Sequence, residues 1–201
     1  GAIVRDDLTL HYQAKQHAGN GRINAVEVLL RWHDEQLGEV SPARFIPIAE
    51  DTGNIMAIGE WVLRKACQQG IEWRREGFFD GKIAVNLSMR QLRDPQFDQT
   101  VSDILQESGF PADMLELEIT ETDIMNDCEL TIPILNELAG QGISLVIDDF
   151  GTGYSSLSYL KRLPIKILKI DRAFISDIDK SADSLSIVQA ILALTRNLRI
   201  N

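Results

Sequence analysis

Cysteine is scarce in this chain: Cys67 and Cys128 are the only two among 201 residues. Far apart and without paired-Cys spacing, they indicate neither a disulfide framework nor a zinc site. No apolar run approaches the ~20 residues that a membrane span requires, and the first residues lack the basic-then-apolar pattern of a signal peptide. A cytoplasmic domain is therefore expected, although a longer parent protein could be tethered to a membrane. Positive charge is also short, since 20 Lys and Arg against 30 Asp and Glu leave a net charge of −10. That balance argues against long nucleic acid as a partner, because phosphate backbones are held by excess basic residues. A small phosphorylated ligand stays open if metal ions supply the missing positive charge. Low-complexity segments and dividing linkers are missing too, so residues 1–201 read as a single domain.

What is present is ordinary for a globular protein, with 44% apolar and 25% charged residues. Leu8 to Tyr12 alternates as a strand, His17 to Gly21 reads as a turn, and Ile23 to Leu30 as the next strand. Further strands are expected at Lys82–Leu87, Leu115–Thr120, Ile143–Asp148 and Ile165–Ile170. Ser41-Pro42 and Asp94-Pro95 each read as a cap followed by proline at the first helical position. Gly53 and Gly109 end those two helices. Longer helices are expected over Ile58–Arg75, Cys128–Gly140 and Ala182–Leu198. Trp61, Val62, Ala66 and Trp73 lie near one face of the first, and Phe97 and Phe110 read as core. The alternation of strands and helices argues for βα units and a largely parallel sheet.

The most informative stretch runs from Leu145 to Leu157. A short apolar strand ends in two adjacent carboxylates, Asp148 and Asp149, then in Gly151-Thr152-Gly153, with a helix expected to start near Ser155. An Asp-rich turn capping that helix is the plain alternative. Other strands also end in polar groups: Glu27, Asn86, Glu118 and Lys169 each fall at or near a carboxyl end, where α/β active sites assemble. A charge in an apolar buried strand is costly unless it is paired or metal-bound. Three acids, an amide oxygen and Asp149 make a set of hard oxygen donors for Mg²⁺ or Mn²⁺. His11, His17 and His33 are scattered and read as surface or packing residues. Asp177, Asp179 and Asp183 read as a solvated helix start.

Glu27-Val28-Leu29-Leu30-Arg31-Trp32 resembles the Glu-Ala-Leu signature of the EAL-domain family of cyclic di-GMP phosphodiesterases. The family's other blocks follow in order. They are Ser41-Pro42 through Phe45-Ile46-Pro47, Asn86-Leu87-Ser88, Glu116-Leu117-Glu118-Ile119-Thr120-Glu121, Asp148 to Leu157, and Leu168-Lys169-Ile170-Asp171. The resemblance implies an α/β fold, a TIM-like (β/α) barrel with an antiparallel first strand. It implies that Glu27, Asn86, Glu118 and Asp148 ligate one Mg²⁺ or Mn²⁺, and that Asp148 and Asp149 bind a second. Lys169 and Asp149 are the implied catalytic residues, Lys169 meeting the attacking water or the scissile phosphate. Arg31 would hold a phosphate of cyclic di-GMP, Gln13 would face a guanine, and Glu121 would organise the Asp149–Tyr154 loop. The implied activity is hydrolysis to linear pGpG in bacterial second-messenger signalling. A homodimer is expected, fused to sensory or diguanylate cyclase domains in a longer protein.

Two departures from the family pattern stand out. Val28 replaces the signature alanine but removes no ligand. The family's Gly-Val-Glu block, a later glutamine and the last two βα units have no counterpart, so the carboxyl end reads as cut and the barrel as incomplete. Ile3-Val4-Arg5 reads like the tail of an earlier helix, so the amino end reads as cut too. Two other functions remain open at this point: a non-catalytic domain that binds cyclic di-GMP or a protein partner, and an unrelated metal-dependent barrel lyase.

Overall fold

A computed structural model describes residues 7–126, 128–152 and 157–200. The terminal stretch at Ile3-Val4-Arg5, the turn residue Gly153 and the expected helix start at Ser155 lie outside the described residues. The chain divides into two compact units, residues 1–116 and 117–201.

The first unit opens with a hairpin of β1 (Leu8–Gln16) and β2 (Ile23–Asp34). The strands are antiparallel, with Gln13 opposite Glu27 and Thr9 opposite Arg31. A short β3 (Gly38–Val40) folds back antiparallel on the far end of β2. Then come α1 (Pro42–Thr52), α2 (Ile55–Glu76) and β4 (Lys82–Asn86), which lies parallel to β2 with Glu27 beside Ala84. The unit continues through α3 (Met89–Leu92), α4 (Phe97–Ser108) and the start of β5 (Leu115–Thr120).

Ile83, Ala84 and Val85 are essentially unexposed, as a parallel strand covered on both faces requires. From α2, Val62, Leu63, Ala66 and Cys67 turn inward, while Trp61 and Trp73 are only half-buried. Gly59 and Gly70 sit inside that helix at about 1 kcal/mol less favourable than alanine. Packing explains both, because a Cβ on Gly70 would lie 2.5 Å from Ile83 and from Phe110, and one on Gly59 would lie 2.1 Å from the Gln91 amide.

The second unit holds the rest of β5, α5 (Glu121–Asn126), α6 (Cys128–Gly140), β6 (Ser144–Phe150) and α7 (Leu157–Leu160). It ends with β7 (Ile167–Ile170), α8 (Arg172–Ser176) and α9 (Ala182–Leu198). Its strand order is β5-β6-β7, and β7 runs parallel to β6. Leu117, Ile119, Leu145, Val146 and Ile147 have no exposed surface. Among the described residues no helix is long and apolar enough to cross a membrane.

Several expectations change. The helix after Asp94-Pro95 begins at Phe97, because Asp94 Oδ1 accepts the Gln96 N–H at 3.0 Å and makes a turn of its own. β2 runs four residues past Leu30, held there by β1 and β3, so Glu27 is mid-strand. It nevertheless lies near the end of the register that β2 shares with β4. His11, His17, Asp177, Asp179 and Asp183 are exposed, while Phe97 and Phe110 are core.

Tyr12 stacks edge-on against Trp73 with ring centroids 4.7 Å apart. Burial, then the charges of Glu72 and Cys67, pushes its phenol from 10.0 up to about 12. Burial likewise pushes the Cys67 thiol from 9.0 to about 12, against a smaller opposing hydrogen bond from Ser108. Both groups fold in the neutral form, so their contribution is complete below the unfolded values and is lost as pH rises through the folded ones. Urea denaturation should therefore show stability falling from about pH 9 to 12, with Tyr12→Phe flattening the part above pH 10. An unchanged slope in that variant would contradict the assignment.

Candidate functional site

In the first unit, β2 offers Glu27 and β4 ends in Asn86, whose Nδ2 donates to Glu27 Oε1 at 3.1 Å. Gln13 is exposed on β1 directly opposite Glu27, and cross-strand partners share a face. Arg31 lies four residues along β2 from Glu27 and so on that same face. Its Nη1 donates to the Leu30 carbonyl at 2.9 Å. Val28 is 3% exposed on the opposite face of β2, so the departure from alanine adds apolar packing and leaves the Glu27 face unaltered.

Glu116, 3% exposed, receives Lys15 Nζ at 2.8 Å and meets Lys82 Nζ at 3.3 Å. Lys15 and Lys82 both register with Ala25, whose small side chain leaves room for them. Sequence reasoning assigned these two lysines no role. The signal available to it was a charge at the start of β4 and another at the end of β1.

In the second unit, Glu118 has no exposed surface and Asp148 is half-buried. One carboxylate oxygen of each lies within 4.8 Å of the other. Lys169 Nζ stands between them, donating to Glu118 Oε2 at 2.7 Å and to Asp148 Oδ2 at 2.8 Å. Burial by itself would lower the ammonium pKa, but the Glu118 charge and the hydrogen bonds to both acids outweigh it and raise it. That rise keeps Lys169 cationic at neutral pH.

Asp149 follows with φ 53, a left-handed conformation uncommon for a non-glycine residue. Burial raises its pKa first, and the charges of Asp148 and Asp171 add to the rise while Lys169 opposes it. Asp171 also hydrogen-bonds the Asp149 side chain and caps α8 through the Ala173 N–H at 2.6 Å. In the sequence Asp171 stands out only as the end of the Leu168-Lys169-Ile170-Asp171 block. Glu121, 1% exposed, accepts the Gly151 N–H at 2.6 Å in the described part of the loop after β6. Tyr154, at the far end of that loop, lies outside the described residues. A Cβ on Gly151 would stand 2.8 Å from the Phe174 ring, so the turn lies tight on α8.

The donor set suits hard divalent cations, being carboxylate and amide oxygens with no thiol or imidazole among the named residues. Glu118, Asp148 and Asp149 also outnumber the one ammonium of Lys169, leaving negative charge for a cation to offset.

Residues 1–201 match the EAL domain family over their whole length. This chain belongs to the EAL-domain family. It is 46% identical over 199 residues to the bifunctional diguanylate cyclase/cyclic di-GMP phosphodiesterase MucR of Pseudomonas aeruginosa, covering 99% of this chain and 29% of that protein. It is 41% identical over 199 residues to the cyclic di-GMP phosphodiesterase NbdA of the same organism, covering 99% of this chain and 25% of that protein. The chain thus spans less than a third of the length of these relatives. A solved structure, the P. aeruginosa MucR phosphodiesterase in complex with cyclic di-GMP, matches with a TM-score of 0.93 and 46% identity. That match covers 99% of this chain and 81% of the other. The fold is therefore the α/β fold of EAL domains, a TIM-like (β/α) barrel family, and the antiparallel first strand is β1.

Replacing Lys169 with methionine should cost this EAL domain about 3 kcal/mol in chelator-treated buffer at neutral pH, because Glu118 loses its buried cationic partner. Urea denaturation measures the loss; a change under about 0.5 kcal/mol would place the array among exposed pairs of little weight.

Proposed function

We propose that this EAL domain, residues 1–201 acting as one domain, hydrolyses cyclic di-GMP to linear pGpG with Mg²⁺ or Mn²⁺. The observation that carries the reading is the fully buried Glu118 sharing Lys169 with Asp148. Similarity to the cyclic di-GMP phosphodiesterases MucR and NbdA supplies the substrate.

Glu27, Asn86, Glu118 and Asp148 hold one cation in this reading, and Asp148 and Asp149 a second. When bound, the two cations offset phosphodiester charge and lower the pKa of water at the site. Lys169 keeps its charge, orients the two carboxylates it touches, and offers an ammonium to the scissile phosphate or the attacking water. Asp149, besides holding the second cation, would take the proton of that water. The water oxygen bonds to phosphorus as the P–O3′ bond breaks, and the departing 3′-oxygen takes a proton from solvent, leaving a 5′-phosphate and a free 3′-hydroxyl. Arg31 holds a phosphate of the ligand and Gln13 faces a guanine. A homodimer, fusion to sensory or diguanylate cyclase domains and a cytoplasmic setting, membrane-tethered or not, complete the reading. The bifunctional name of MucR supports the fusion.

Incubation with cyclic di-GMP and Mn²⁺, followed by chromatography, should yield pGpG. Asp148→Ala should lower the rate at least about 100-fold, and Arg31→Ala should chiefly raise KM. Tight cyclic di-GMP binding without pGpG would favour a ligand-binding domain and overturn the hydrolytic reading.

A further inference from the structure

Asn86 closes β4 with an exposed side chain, so packing does not fix its carboxamide. Beyond the hydrogen bond it donates to Glu27, its position is set by the backbone on either side. Upstream, Ile83, Ala84 and Val85 are locked in the core. Downstream, only Leu87 and Ser88 separate it from α3, a four-residue helix too short to be stable alone.

That helix is fastened at two points. Gln91, 3% exposed, accepts the Ser88 N–H on Oε1 at 3.1 Å, and its own N–H donates to Ser88 Oγ at 3.4 Å. This reciprocal capping box ties the segment after Asn86 to the Gln91 side chain. The Gln91 amide in turn lies against α2 where residue 59 is glycine. A Cβ there would stand 2.1 Å from Nε2, 2.6 Å from Cδ and 2.8 Å from Oε1. Next to it, Arg90 Nη1 donates to the Glu50 carbonyl in the last turn of α1.

We infer that Gln91 is a positioning residue: seated on Gly59, it sets where β4 presents the Asn86 carboxamide. The inference rests on the proposed role of Asn86 as a cation ligand. Gln91 acts through the Ser88 backbone, whose N–H it accepts. Gly59 belongs to the same device, since any side chain there displaces the amide.

Mn²⁺ binding to the full chain by titration calorimetry, without substrate, tests this beside thermal melting. Gln91→Met keeps bulk against Gly59 but cannot accept the Ser88 N–H. It should weaken Mn²⁺ binding about 10- to 100-fold, the usual effect of losing a group that orients a metal ligand. Gly59→Ala should weaken binding in the same direction even though alanine is the better helix former, and it decides the matter if Gln91→Met does not fold. Lowered melting temperatures with unchanged Mn²⁺ affinity, while Asn86→Ala weakens binding, would overturn the inference and leave the proposed function standing. Unchanged affinity in all three variants, Asn86→Ala included, would overturn the cation-ligand reading and this inference with it.

Discussion

The shared ammonium of Lys169 is the constraint on which the second unit depends. Glu118 sits on β5 between Leu117 and Ile119, with no exposed surface. A carboxylate there is tolerated only with a cation close by. Lys169 meets that need from β7 and reaches Asp148 on β6 with the same nitrogen. Three strands must therefore hold their register for one charge to serve two acids. The apolar residues of β5 and β6, wholly withdrawn from water, provide the stiffness that keeps it.

Downstream of that array the backbone is under local constraint. Asp149 adopts a left-handed conformation that costs a non-glycine residue free energy, and its surroundings compensate. Glu121 holds Gly151 from one side, Phe174 packs against it from the other, and Asp171 engages the Asp149 carboxyl. The same contacts keep two adjacent carboxylates facing different partners: Asp148 faces Lys169, and Asp149 faces Asp171. Such preorganisation suits a site that gathers cations and a phosphodiester without rearranging.

The first unit uses a different device for a similar end. Its polar groups stand on one face of the β1–β2 hairpin and at the tip of β4, where solvent reaches them. Glu116, by contrast, is buried, and Lys15 and Lys82 neutralise it around the small Ala25. The candidate ligands, half-buried Glu27 and exposed Asn86, take their geometry from backbone anchors, namely the hairpin register and the Gln91 clamp on Gly59.

Composition and pattern alone determined the α/β class, the apolar strands, the long helices and the candidate acids, because burial leaves a period in the sequence that side-chain chemistry makes visible. Ordered sequence blocks determined the family, since Glu27, Asn86, Glu118, Asp148 and Lys169 each sit inside one. Short elements were not legible: β3, α3, α5 and α8 are too brief to show a period, and their stability comes from neighbours. Nor was partner choice. Pairing depends on which strands lie side by side, so only the tertiary structure decided that Lys169 spans Glu118 and Asp148, that Glu116 takes two lysines, and that a glycine on α2 receives Gln91.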